Sequence, residues 1–258
     1  MKDAMRTFVI SDAHGYPGLI RGALDHGGFD PDVDAFVYAG DLLDRGPDPA
    51  GCVGLIERYA TEVLLGNHEL AVLLTFPIWP QDWASVGFRP LLIDRVLNAE
   101  PDRAWKVATC VDRVVVSHAG IGPRYQRVLD DDCRTDPWLL SAHLNAEFLA
   151  AVRRELETGE WDEGGILGDD GPLWWRPGLN GGSRPVAGIL QVAGHTPPVP
   201  ELEAVGFHMT DPCAWALTDG PGRCRYALIE DGRVSVEEGV CEPLRGGSQA
   251  IQIEVVSK

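Results

Sequence analysis

Ala35-Phe36-Val37-Tyr38-Ala39 runs directly into Gly40-Asp41-Leu42-Leu43-Asp44-Arg45-Gly46, an apolar stretch of strand length that stops on carboxylates. The same grammar recurs four times. Thr7-Phe8-Val9-Ile10 leads into Ser11-Asp12-Ala13-His14-Gly15, and Glu62-Val63-Leu64-Leu65 into Gly66-Asn67-His68-Glu69. Val114-Val115-Val116 leads into Ser117-His118-Ala119-Gly120, and Ile189-Leu190-Gln191-Val192-Ala193 into Gly194-His195-Thr196-Pro197. One Asp-x-His or one lone histidine is commonplace, but five strand-like runs that each end on His, Asp or Asn need a common cause. Buried strands that gather ligands at their carboxyl ends supply it.

Outward from these runs, residues 7–75 read as strand then helix three times over. Helices are expected at 16–26, 49–60 and 68–75, with Pro49 in a first turn, where it costs no hydrogen bond. Such alternation predicts a largely parallel α/β arrangement. Residues 76–110 break it, with Trp79, Trp83, Phe88 and Trp105 among prolines and charges. They are expected to form a helical insert over the sheet, the tryptophans packing it down; stacking a nucleobase is their alternative role. A strand at 113–117 resumes the core, and Leu140, Leu144, Phe148, Ala151, Val152 and Leu156 mark a helix over 138–156. Strands are then expected at 189–193, 208–210, 214–217, 225–230 and 233–238, the last two joined by the turn Glu230-Asp231-Gly232-Arg233. Gly164-Gly165 and Gly181-Gly182-Ser183 suggest a mobile loop or plain surface turns.

The 258 residues can bury one large core and contain no linker-like tract, so a single domain over 1–258 is expected. No apolar stretch reaches bilayer length, and Met1-Lys2-Asp3-Ala4-Met5-Arg6 leads into a strand rather than a signal-peptide core. A cytoplasmic protein without membrane partners is the expectation. The six cysteines, at 52, 110, 133, 213, 224 and 241, form no Cys-x-x-Cys pair, which argues for reduced, mostly buried thiols. The net charge of −17, from 22 basic and 39 acidic side chains, disfavours stable nucleic-acid binding. It leaves room for a small phosphorylated substrate, because two bound cations add roughly four positive charges at one point.

Asp12 and His14 lie two apart at a strand end and can share one cation. Asp41 has two carboxylate oxygens and can bridge. Asn67 offers an amide oxygen, His118 and His195 imidazole nitrogens. One site would then hold Asp12, His14 and Asp41, the other Asp41, Asn67, His118 and His195. Oxygen and nitrogen ligands without sulfur suit divalent Mn, Fe, Zn or Co, with manganese the first expectation. Two such ions about 3.5–4 Å apart clamp an in-line phosphoryl displacement and lower the pKa of a bridging water, so a hydroxide nucleophile follows. His68 is placed to protonate the leaving oxygen, Asp44 to orient that ring, and Arg45 to hold phosphate oxygens.

The Gly-Asp-Leu-Leu-Asp-Arg-Gly and Gly-Asn-His-Glu motifs strongly resemble the phosphoprotein phosphatase family of metallophosphoesterases. Asp12-Ala13-His14-Gly15, His118 and His195 match its remaining ligand positions, in order, over residues 7 to 197. The resemblance implies a four-layer αββα sandwich, two mixed sheets flanked by helices, and direct attack of water without a phosphoenzyme. It also implies a second phosphate-binding arginine before the last histidine, for which Arg176 in Leu173-Trp174-Trp175-Arg176-Pro177 is the candidate. Ser11 stands where the family usually has glycine, a change expected to alter little. The His118-Ala119-Gly120-Ile121 and Gly194-His195-Thr196-Pro197 sequences look like the phage and bacterial branch, which also includes symmetrical diadenosine tetraphosphate hydrolases.

The leading expectation is a phosphatase for phosphomonoesters, with phosphoserine or phosphothreonine proteins as substrates. Its rival is a diadenosine polyphosphate hydrolase. A more distant rival, removal of terminal or cyclic phosphate from RNA, is disfavoured by the acidic surface. A metal-free scaffold for a phosphorylated partner would be marked by a lost ligand, and none of the six is missing. Asp211, near His208, is assigned no role.

Overall fold

The protein is described from a computed structural model, which covers residues 5–123, 125, 132, 136–161, 164–177, 184–213 and 222–241. The strand runs form as the sequence predicts: β1 (Thr7–Ile10), β2 (Ala35–Ala39) and β3 (Glu62–Leu64), alternating with α1 (Pro17–Gly27), α2 (Pro49–Tyr59) and α3 (Asn67–Leu74). Pro17 and Pro49 each open a helix, and Gly28, in the left-handed region, closes α1.

The insert is less helical than expected. It holds two short helices, α4 (Trp83–Val86) and α5 (Arg89–Ile93), and a π-turn at Asp94–Asn98, and its end is strand β4 (Ala108–Val111). After these come β5 (Val114–Ser117), the long helix α6 (Pro137–Thr158), β6 (Leu190–Ala193), a short α7 (Pro200–Glu203), β7 (Phe207–Met209), β8 (Gly222–Glu230) and β9 (Arg233–Cys241). Asp136 caps α6 by accepting from the Trp138 and Leu139 N–H groups. The expected strand at 214–217 and the glycines at 181–182 lie outside the described residues.

Two mixed sheets result, ordered β3-β2-β1-β8-β9 and β4-β5-β6-β7. In the first, β1, β2 and β3 are parallel while β8 and β9 run antiparallel; in the second, β5, β6 and β7 are parallel and β4 is antiparallel. The period of two along each strand divides the core. Val9, Val37, Ala39 and Leu64 of one sheet pack with Val114, Val116 and Val192 of the other. The opposite faces carry Phe8, Ile10, Phe36 and Tyr38 with Leu19, Ile20, Cys52 and Ile56 of α1 and α2, and Ala108 and Val115 with Leu140, Leu144 and Phe148 of α6. The order is helix, sheet, sheet, helix. Because both parallel sets run the same way within their sheets, the loops after β1, β2 and β3 meet those after β5, β6 and β7. Among the described residues no helix is long and apolar enough to cross a membrane.

Candidate metal centre

Backbone geometry turns the strand ends into a concave floor. Asp12, His14, Asp41 and His195 all adopt positive φ, between 43 and 63°, as do Asp44 and Arg45 at 68 and 65°. Such conformations are uncommon for residues with side chains and persist where surrounding bonds over-determine them. Here the Asp12 N–H donates to Gly40 O at 2.9 Å and the His14 N–H to Asp41 O at 3.0 Å. Gly40, at φ 87°, must be glycine, since a Cβ there would lie 2.6 Å from Gly66 N and 2.7 Å from His118 Nδ1.

Three imidazoles converge with their tautomers set by backbone carbonyls. His14 Nδ1–H donates to Leu43 O at 2.8 Å, His118 Nδ1–H to Ala39 O at 3.0 Å, and His195 Nε2–H to Trp174 O at 3.2 Å. Each ring's other nitrogen then offers a lone pair to the site. His14 Nε2 lies 3.3 Å from Asp41 Oδ2, His118 Nε2 lies 3.4 Å from Asp41 Oδ1, and His118 Nε2 lies 3.1 Å from His195 Nδ1. The Asn67 amide lies among the same groups and, with its NH2 turned inward, donates to the Asp41 oxygens at 3.1 and 3.2 Å, to His118 Nε2 at 3.0 Å and to His195 Nδ1 at 3.2 Å. The Asp41 oxygens and the free nitrogens of His14 and His195 turn lone pairs into one small space, as ligands do around a cation. A single proton on His118 Nε2 could serve only some of these acceptors, although Asp41 overcomes burial to push that ring up to about 9. A divalent ion would take that proton's place and satisfy the set at once, so the residues present fit the metals the family implies.

The six expected ligands do not fall equally into place. Asp41, His118 and His195 form one compact triad, with Asn67 beside it; His14 and Asp41 belong to another whose third member is His68. Asp12 lines the same cavity but stands outside both triads, its oxygens accepting the His195 N–H at 3.2 and 3.0 Å. His68 is a poor ligand despite its position. Its Nδ1 is 2.6 Å from Asp44 Oδ2, its Nε2 is 4.0 Å from Asp41, and Arg45 Nη2 lies 3.4 Å from that same Nε2. Burial lowers the ring's pKa, but Asp41 and Asp44 outweigh it and raise it overall.

Three groups that the motifs did not single out hold this floor. Glu69 accepts four backbone N–H groups, from Gly66 and Asp41 at 2.8 Å, Leu42 at 2.9 Å and Leu43 at 3.0 Å, and so clamps the Asp41 loop to α3. The Tyr38 O–H donates to Asp41 O at 3.1 Å and accepts from the Ala13 N–H at 3.0 Å. The insert braces Asp44: Asp82 N–H donates to its Oδ1 at 2.9 Å, and Ser85 Oγ accepts its N–H at 2.8 Å. Ser11, far from being idle, exchanges a 2.8 Å hydrogen bond with Thr210 Oγ1 and ties the two sheets together.

Above the floor opens a cavity of about 500 Å³ lined by Asp12, Asp41, Arg45, Asn67, Arg176, His195, Trp79, Pro80, Pro197 and Asp211. Arg176 is fixed by donating to His195 O at 2.8 Å, while the buried Arg45 Nε has no partner among the described residues. Burial and then the Asp12 charge push the Asp211 carboxyl up to about 7. The packing expected of the tryptophans holds only for buried Trp105; Trp79 is 85% and Trp83 90% exposed. Trp79 sits in a bend before α4, and the four-residue α4 is too short to lay Trp83 on the sheet.

A two-sheet sandwich with His, Asp and Asn converging at its strand ends defines a metallophosphoesterase. Residues 5–229 match the calcineurin-like phosphoesterase family, and the chain belongs to it. It is 38% identical over 72 residues to serine/threonine-protein phosphatase 1 of Salmonella typhimurium, covering 28% of this chain and 33% of that protein. It is 28% identical over 187 residues to the symmetrical bis(5'-nucleosyl)-tetraphosphatase of Salmonella paratyphi C, covering 70% of this chain and 61% of that protein. The matched segments thus span one third and about three-fifths of these relatives. In fold, the chain is similar to a cold-active protein-tyrosine phosphatase of a psychrophilic Shewanella, with TM-score 0.59, 17% identity and coverage of 93% of this chain and 81% of that one. A protein serine/threonine phosphatase from Saccharomyces cerevisiae gives TM-score 0.53 and 14% identity, covering 92% of this chain and 80% of that one.

Proposed function

We propose that this hydrolase is a cytoplasmic phosphatase that uses two divalent cations, manganese first among them, to hydrolyse phosphomonoesters by direct attack of water. The observation that supports the reading is the pair of buried triads, His14 with Asp41 and His68 and Asp41 with His118 and His195, whose candidate ligand atoms gather within 4.8 Å of one another about one shared carboxylate. Asp12, His14 and Asp41 would hold one cation, and Asp41, Asn67, His118 and His195 the other. When bound, the pair supplies Lewis acidity and lowers the pKa of water at neutral pH. The chain's own groups do the rest. Arg45 and Arg176, on the cavity wall, orient a dianionic phosphate by paired N–H donors. His68, whose pKa Asp41 and Asp44 raise against the effect of burial, delivers a proton to the departing oxygen. Asp44 holds that ring by its Nδ1.

Phosphoserine and phosphothreonine proteins need nothing beyond these phosphate contacts, and they are the first substrate reading. A second reading, a dinucleoside polyphosphate, draws on Trp79: an exposed indole on the cavity wall can stack a base, whereas a packed one could not. The manganese-loaded protein should be assayed against a phosphopeptide, diadenosine tetraphosphate and an aryl phosphate. Loss of turnover with a chelator and return with manganese is the expected result. Turnover that persists in chelator would overturn the metal mechanism, and a large kcat/KM preference for the dinucleotide would select the second substrate.

A further inference from the structure

The metal-ligand motifs leave one buried acid unused. Asp211 follows β7, is 5% exposed, and lines the same cavity as Asp12 and Asp41. Its Oδ1 accepts the Cys213 N–H at 2.7 Å, and no lysine, arginine or histidine side chain pairs with it among the described residues. Connectivity sets it beside Asp12. The Ser11–Thr210 hydroxyl bond joins the residues that immediately precede the two aspartates, and the Thr210 N–H and hydroxyl both donate to Ala193 O, at 2.7 and 3.1 Å. The charges that reach Asp211 most strongly are those of Asp12, then His14 and Asp41.

Three buried carboxylates on one small surface repel one another unless a cation lies between them. His14 and His195 offer them only lone pairs, each spending its N–H on a carbonyl, and His118, which Asp41 pushes up to about 9, is one positive ring against three carboxylates. Asp211 belongs to neither ligand triad, and one of its oxygens is already spent on the Cys213 N–H.

We propose that Asp211 is a positioning residue for the cation at the Asp12, His14 and Asp41 end of the cavity, accepting a hydrogen bond from a water that this cation carries. It rests on the two-cation reading above and adds a residue to it. Outer-shell partners of this kind change metal affinity by about 10–100-fold. The effect falls on one site only. The Ser11–Thr210 bond sets Asp211 beside Asp12, which belongs to one of the two proposed sites only.

The test is a manganese titration of the full chain by calorimetry, for wild type, Asp12→Asn, Asp211→Asn and Asp211→Ala, with thermal midpoints in chelator and in manganese. Asp211→Asn keeps an oxygen for the Cys213 N–H. It should weaken manganese at the same one of the two sites that Asp12→Asn weakens, by about 10–100-fold, and leave the other unchanged. Its midpoint in chelator should equal or exceed wild type, since a repelling charge is gone, while the rise on adding manganese shrinks. Unchanged affinity at both sites would overturn the proposal. So would equal weakening of both sites with a lower midpoint in chelator, which marks a residue that merely holds its loop. Wild-type protein that binds no manganese would instead sink the two-cation reading itself.

Discussion

On the floor of the cavity Asp12, His14, Asp41, Asn67, His118 and His195 are each at most 4% exposed, and each of the three rings is tied to a backbone carbonyl; on its wall Trp79 is 85% exposed. The floor is over-determined by bonds from both sheets. The wall carries an indole that covers little and is covered by little. A fold divided in this way fixes its chemistry in residues that also fix its backbone, and it leaves choice of substrate to side chains that can change without disturbing the sandwich.

The largest effect should come from the floor's shared carboxylate. Asp41→Asn keeps the shape but removes the charge that touches His14 and His118. Metal content should fall from two ions to one or none and activity should drop more than roughly a hundredfold, the upper scale for outer-shell partners. Full occupancy by elemental analysis, with normal turnover, would remove Asp41 from the centre.

Glu69 should come next, in stability more than in chemistry. Glu69→Ala leaves the N–H groups of Gly66, Asp41, Leu42 and Leu43 without their acceptor in a buried place. The expected cost is about 3–5 kcal/mol in urea unfolding, the range for breaking a buried charged network. A loss below about 1 kcal/mol would mean that water enters and replaces the carboxylate.

His68 lies between floor and wall, and its expected effect depends on the substrate. If it protonates the leaving oxygen, His68→Asn should cost far more rate on a serine phosphate than on an activated aryl phosphate. Equal losses on both, with metal content unchanged, would argue against proton donation and leave the ring as a support for Asp41.

The same division explains what was legible in the sequence. The strand ends announce themselves because a buried strand is a short apolar run that stops on polar residues; β1, β2, β3, β5 and β6 all follow that pattern. The clamp by Glu69 does not show in the pattern, since its Asp41 and Leu42 partners are backbone groups 28 and 27 positions away. Strand β4 was hidden for another reason. Ala108-Thr109-Cys110-Val111 is four residues long, and a run that short carries no period that separates strand from helix. The Ser11–Thr210 bond spans 199 positions and joins two sheets, so only the folded chain reveals why a serine serves there.

Trp79 and Trp83 stay exposed because aromatic content predicts burial only where the element that carries it is large enough to reach a core, and Trp79 sits in a bend outside any helix. Helix α4 has four residues, and its one buried side chain is Ser85, which is spent on Asp44. An indole released from packing can be removed at little cost, so Trp79→Ala should shift unfolding free energy by less than about 0.5 kcal/mol. Its effect belongs to binding. Stacking contributes roughly 1–3 kcal/mol per base. Trp79→Ala should therefore lower kcat/KM for diadenosine tetraphosphate by about fivefold or more, if that substrate is used, while a phosphopeptide loses less than twofold. Equal, small losses on both substrates would leave the wall neutral and return the choice to the phosphate contacts of Arg45 and Arg176. A larger loss on the phosphopeptide would make Trp79 a peptide-binding surface, and the indole would then favour the first substrate over the second.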